Sequence, residues 1–110
     1  MCGRYVVSSP YKKLAKHFGV EPPEETPGKR YNAAPTQELP VITAESPTIE
    51  MMRWGLISFW AKDKSIGTKL INARAETLVE KPSFRTSFRK RRGLVASDGF
   101  YEWKKTAHGK

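Results

Sequence analysis

The chain has 110 residues, 38% hydrophobic and 28% charged, a balance that excludes a disordered or membrane-embedded polypeptide and fits one modest core. No apolar run approaches the roughly 20 residues of a membrane-spanning helix, and Arg4 with Ser8 and Ser9 interrupts what would be the apolar stretch of a secretory leader. A single cysteine, Cys2, excludes an internal disulfide, so a reducing compartment is expected: cytoplasmic and nucleoid-associated in a bacterium, nuclear in a eukaryote.

The net charge is +9 and unevenly placed. Residues 1–52 carry six basic and six acidic residues, so the whole surplus lies in residues 53–110. Such asymmetry points to a polyanion, with nucleic acid ahead of a membrane surface because no basic amphipathic helix carries the charge. A solvated surface kept for solubility explains the charge equally well, so charge alone does not decide.

In chain order, Cys2 to Val7 reads as a strand. Ser9-Pro10 has the form of a helix start, with Ser as cap and Pro at the first helical position. Tyr11, Leu14, Ala15 and Phe18 then share one face, and Gly19 closes the helix. Glu21 to Lys29, rich in Pro and Glu, is predicted as an exposed loop. Leu39–Thr43 and Thr48–Trp54 form a predicted hairpin around Ser46-Pro47. Ser83 is placed to cap a basic helix reaching Arg92, with Phe84 and Phe88 buried one turn apart. Leu94–Ala96 and Phe100–Lys104 read as two more strands, separated by Asp98-Gly99. The sum is an α+β chain with strands predominating, one domain over residues 1–110. Residues 104–110 have the composition of a hairpin turn, so a returning strand is expected and the domain reads as C-terminally truncated.

Position 2 concentrates the chemistry. Methionine aminopeptidases remove Met1 when a small residue follows, and cysteine qualifies. The new terminus would carry an α-amine two carbons from a thiol, and ordinary groups of both kinds are partly nucleophilic near neutral pH. An aldehyde meeting the pair forms an imine, and the thiolate closes a five-membered thiazolidine on the imine carbon. A small residue packed at a strand start is the bland alternative. Cys2-Gly3 also opens glutamine amidotransferases of the N-terminal-nucleophile class, although Arg4-Tyr5 and the basic charge depart from that pattern.

Five motifs follow in order: Met1-Cys2-Gly3-Arg4-Tyr5, Tyr31-Asn32-Ala33-Ala34-Pro35, Arg53-Trp54-Gly55-Leu56-Ile57, Ile71-Asn72-Ala73-Arg74-Ala75-Glu76-Thr77 and Asp98-Gly99-Phe100-Tyr101-Glu102-Trp103. Together they resemble the SRAP family (SOS response-associated peptidase) over essentially the whole chain. The resemblance implies a mixed sheet or barrel with a few short helices. It also implies a sensor that crosslinks Cys2, once Met1 is gone, to abasic sites in single-stranded DNA, shielding the lesion with a DNA–protein crosslinking or lyase-type activity.

On the family pattern Asn72 orients the sugar or imine beside Cys2, its amide offering both donors and an acceptor. Glu102 moves protons, and its neighbours Tyr101 and Trp103 predict partial burial that favours the protonated acid. Arg74, two residues past Asn72 and on the same face of an extended segment, matches a phosphate-gripping arginine. Arg4 is a second phosphate contact, and Arg53 is counted with the DNA-binding residues. Trp54 and Trp103 are candidates for base stacking, with core packing as the alternative for each. Asn32 and Pro35 shape the pocket, and Arg89-Lys90-Arg91-Arg92 forms a solvated helix end with nonspecific attraction to DNA.

The partner implied is single-stranded DNA with abasic sites, with no membrane, no cofactor and no metal, and the chain is expected to be a monomer. Noncovalent single-strand binding and an N-terminal-cysteine peptidase or amidohydrolase remain the other readings, release of Met1 being a subsidiary activity. The sequence departs from the family at Ser58-Phe59, Gly93 and Ala96-Ser97, positions of structural rather than chemical weight. On the family pattern the catalytic histidine, which assists acid–base steps and crosslink reversal, is expected well beyond position 110, and neither His17 nor His108 sits in a matching motif.

Overall fold

A computed structural model describes residues 2–26, 28–57 and 60–104. Met1, Pro27 in the Glu21–Lys29 loop, the Ser58-Phe59 pair, and the terminal turn with His108 lie outside the described residues.

Two antiparallel three-stranded sheets and two helices make up an α+β fold. The first sheet has the order β2-β1-β6, from Tyr5–Val7 (β1), Arg30–Ala33 (β2) and Gly99–Phe100 (β6). The second has the order β4-β3-β5, from Glu38–Thr43 (β3), Glu50–Arg53 (β4) and Gly93–Val95 (β5). The hairpin expected around Ser46-Pro47 is β3-β4, pairing Leu39 with Met52 and Val41 with Glu50.

Helix α1 spans Tyr11–Phe18 and buries Tyr11, Leu14 and Ala15, the face that the 3.6-residue period marks out. It stops at Gly19, whose φ of 68° is a left-handed conformation that glycine adopts without steric cost. Its start differs from the expectation. Pro10 is the cap residue, and Ser9 makes no capping bond; Ser9 and Ser8 instead donate to Asp98 from the turn before β6. A carboxylate brought by the fold therefore occupies the Ser9 hydroxyl and the Ser8 and Ser9 N–H groups just ahead of the helix, so the expected hydroxyl cap is not made.

The core joins both sheets to α1. Tyr5, Val7, Ala33, Leu39, Ile42, Ile49 and Ala96 pack with Tyr11, Leu14 and Ala15. The loop after α1 is tied to the hairpin by Glu21, whose N–H donates to Pro47 O (2.8 Å) and whose carbonyl accepts from Ile49 N–H (2.9 Å).

Other boundaries shift. The first strand begins at Tyr5, leaving Cys2 to Arg4 irregular before it. Helix α2 covers Arg85–Lys90, starting after Phe84 rather than at Ser83, and Phe84 and Phe88 are only half-buried. The two closing strands are short and belong to different sheets, β5 pairing with β3 and β6 with β1. A return of the chain through Ala96, buried in the core, separates them. Alternation of apolar residues marks a strand but says nothing of which sheet it joins.

Candidate functional site

Cys2 lies just ahead of β1, half-buried, with its side chain against the core and its Sγ directed at Arg4 O, 3.4 Å away. Asn72 comes to it from the long connection between β4 and α2. The Asn72 Nδ2 donates to the Cys2 carbonyl oxygen at 2.6 Å.

That connection is fastened at several points. Leu56 N–H donates to Leu70 O (3.0 Å), and the Trp54 indole N–H donates to Ile71 O (2.8 Å). Gly55, at φ 121°, packs directly on the backbone of Gly67 inside the 3-10 turn Lys64–Thr68. The ring of Trp54 is tilted against Tyr5 with centroids 5.4 Å apart. Trp54 thus positions the Asn72 segment, and its N–H is already committed.

Cys2 and Asn72 share the wall of a cavity of about 530 Å³, otherwise mainly apolar, with Tyr5, Leu39, Trp54 and Ile71 around it and Arg53 at its edge. A low-polarity wall strengthens whatever hydrogen bond or charge interaction forms inside it. The hydroxyl of Tyr5 is buried with no partner among the described residues, and burial pushes its pKa up to about 12, with Tyr11 and Cys2 adding to the shift.

Gly3 and Arg4 turn the other way. They line a second cavity, of about 720 Å³, with Tyr31, Asn32, Tyr101, Glu102 and Trp103. The thiol and Asn72 thus line one cavity, and Glu102 lines another with Gly3 and Arg4. Tyr101 fastens this side twice, its N–H donating to Arg4 O (3.1 Å) and its hydroxyl to Tyr31 O (2.8 Å).

Glu102 is exposed, contrary to the expected partial burial, because Tyr101 and Trp103 are themselves open to solvent, Trp103 by 78%. The strand ends at Phe100, and both aromatics lie beyond it. Arg4 donates from Nη1 to Gly3 O at 2.7 Å. Arg74 is exposed at the start of the 3-10 turn Ala75–Thr77, on extended backbone beyond Asn72. Pro35 and Thr36 form the turn between β2 and β3, apart from both cavity linings, with Thr36 N–H donating to Trp54 O (2.9 Å). His17 is on α1, edge-on to Phe18 and in neither lining.

Tyr31 and Tyr101 were not singled out by the sequence as site residues, yet both line the Glu102 cavity and are more than half exposed. Their positions next to Asn32 and Glu102 were the available signal. Among the described residues no group of three or more His, Cys, Asp or Glu is placed to hold a metal ion, and no helix is long and apolar enough to cross a membrane.

The SOS response associated peptidase (SRAP) profile matches residues 1–110. The chain belongs to the SRAP family. Among SRAP relatives, the abasic site processing protein YoqW of Bacillus subtilis is 43% identical over 109 residues, 96% of this chain and 49% of that protein. The mouse abasic site processing protein HMCES is 30% identical over 130 residues, covering 96% of this chain and 37% of its own. A crystal structure of a protein from Bacteroides thetaiotaomicron superposes with a TM-score of 0.84 at 30% identity, over 96% of this chain and 50% of that one. The chain thus spans about half the length, or less, of these proteins.

Proposed function

We propose that this chain is the N-terminal part of a single SRAP domain that captures abasic sites in single-stranded DNA through Cys2. The observation that carries the reading is the 2.6 Å bond from Asn72 to the Cys2 carbonyl, which sets a side-chain amide beside the amino-thiol in the wall of one cavity. The names of its relatives as abasic site processing proteins support the choice of substrate.

The chemistry needs a free Cys2 amine, hence removal of Met1. The amine adds to the ring-opened sugar aldehyde and loses water to give the imine. The thiolate then adds to the imine carbon, forming the C–S bond, while the imine nitrogen takes a proton. The product is a thiazolidine, and the net loss is one water molecule. Asn72 holds the Cys2 backbone and offers its amide to the sugar hydroxyl or imine. Glu102, in the neighbouring cavity with Gly3 and Arg4, is the group that exchanges protons with a sugar reaching into that cavity. Arg4, Arg53 and Arg74 serve phosphates, while Asn32 shapes the approach from the Glu102 cavity; Pro35, expected to share that role, stands apart from both linings in the turn between β2 and β3. Trp103 offers an open face for a base, and Trp54 acts from the cavity wall. No metal or cofactor takes part, and the chain acts as a monomer where DNA is found. Removal of its own Met1 is a subsidiary peptidase activity of the same thiol.

The test is incubation of Met-processed protein with a single-stranded oligonucleotide carrying one abasic site. An adduct that survives denaturation and vanishes in Cys2→Ala is expected. No adduct from protein whose mass shows a free Cys2, beside a full-length relative that does react, would refute it. Unchanged binding of all DNA by Cys2→Ala, with no covalent product from either protein, would favour simple noncovalent binding.

A further inference from the structure

Tyr101 follows the last residue of β6 and carries its pairing with β1 one step further. Beyond the Tyr5–Phe100 pair, the Tyr101 N–H donates to Arg4 O at 3.1 Å. The same oxygen receives the Cys2 thiol, with Sγ 3.4 Å away. One carbonyl therefore accepts from the thiol and from the residue next to Glu102, and it joins the linings of the two cavities.

The Tyr101 side chain reaches the other way. In the order β2-β1-β6, the strands β2 and β6 lie on opposite sides of β1. Starting from the β6 side, the Tyr101 hydroxyl donates to Tyr31 O in β2 at 2.8 Å, so the side chain crosses β1 as a strap. It lines the Glu102 cavity beside Gly3 and Arg4. Burial does not demand this bond. Tyr101 is 51% exposed, and water would satisfy its hydroxyl at little cost. The bond instead removes freedom from residues 101 and 102 at a point where the strand has ended at Phe100. A carboxylate that must meet a reacting atom within hydrogen-bond reach gains from such restraint.

We infer that Tyr101 is a positioning residue for the capture reaction, its strap across β1 stationing the neighbouring Glu102 at the Arg4 end of the cavity. The inference rests on the proposed capture of an abasic sugar by Cys2 and adds a residue to which that reading gives no role. Tyr101 touches no reacting atom and acts through Glu102. A bond that served the sheet alone would matter equally with and without the carboxylate, and that difference can be measured.

The Met-processed wild-type chain, Y101F, E102Q and Y101F/E102Q are each incubated with increasing amounts of a single-stranded oligonucleotide carrying one abasic site. Adduct formation then gives a limiting rate and a half-saturating concentration. Y101F keeps the ring and the backbone N–H and loses only the bond to Tyr31 O. Its limiting rate should fall about tenfold, the size expected for a small displacement of a reacting group, with the half-saturating concentration unchanged. E102Q should be slower still, and adding Y101F to it should change nothing further, because the two residues act as one unit. E102D, whose carboxylate is drawn back by one methylene, serves as a second background in which the Y101F loss should shrink. A wild-type limiting rate in Y101F, a raised half-saturating concentration alone, or an undiminished Y101F loss in both Glu102 backgrounds would each overturn the positioning role and leave capture by Cys2 intact. So would an E102Q rate equal to wild type. No adduct from wild-type protein with a free Cys2, beside a full-length relative that does react, would overturn the capture reading and the strap's role with it.

Discussion

Asn72 and Cys2, 70 residues apart in sequence, meet through a side-chain amide donating to a backbone carbonyl at 2.6 Å. Because the bond is to the backbone of Cys2, it fixes where that residue sits without engaging the thiol, whose Sγ is directed at Arg4 O. Asn72→Ala removes the donor from a half-buried carbonyl, so stability should fall by about 1 kcal/mol. Adduct formation should slow by roughly tenfold to a hundredfold, since small misplacements of a reacting group have effects of that size. Asn72→Asp keeps the shape but sets an oxygen against an oxygen and should not rescue the rate. Denaturing gels of time courses decide, and a wild-type rate in Asn72→Asp would show that the bond is irrelevant.

Gly55 is a stability position for the same segment. A Cβ there would run into the carbonyl of Gly67, which is backbone and cannot rotate away, and the φ of 121° is disfavoured for any other residue. Gly55→Ala should cost about 2 kcal/mol or more. The loss should appear as a lower denaturation midpoint together with slower adduct formation, because the Asn72 segment shifts with it. An unchanged midpoint would mean that the close Gly55–Gly67 packing is not maintained in solution.

Asp98 joins the start of α1 to the turn before β6. Its carboxyl is held below the usual carboxylate range, chiefly by the Ser9 hydroxyl, then by the Ser9 and Ser8 N–H groups, with Lys13 nearby. A depressed folded pKa gives stability that is present above the ordinary carboxylate value and is lost as pH falls through the folded value. Asp98→Ala should therefore lower the midpoint at neutral pH, by about 1 kcal/mol or less for so exposed a group. The variant and the wild type should converge in strong acid. A gap that is constant across the acid range would assign the effect to packing instead.

Tyr5 gives the opposite pH sign. Its pKa is pushed up to about 12 by burial, so its stabilising contribution is complete below about 10 and is lost as pH rises toward 12. Tyr5→Phe removes a buried hydroxyl that lacks a partner among the described residues. Stability at pH 7 should hold or rise by up to about 1 kcal/mol, and the alkaline loss should shrink. Some alkaline loss should remain, because burial raises the Tyr11 pKa as well, with Arg30 opposing. Destabilisation at neutral pH would show that the hydroxyl has a partner in solution.

Local signals settled much of the chain. The period of Tyr11, Leu14, Ala15 and Phe18 with Gly19 behind it determined α1, and Ser46-Pro47 between apolar runs determined the β3-β4 hairpin. Five short motifs in order determined the family, since each constrains residues near one another in sequence. Tertiary structure decided the rest, for the reason that sequence spacing carries no information about which distant groups meet. It sent β5 and β6 to different sheets, tied the Ser9 expected to cap the helix to Asp98 instead, and left Glu102 exposed. It also put Cys2 and Asn72 in the lining of one cavity and Glu102 in that of another, although all three belong to motifs that the sequence reads together.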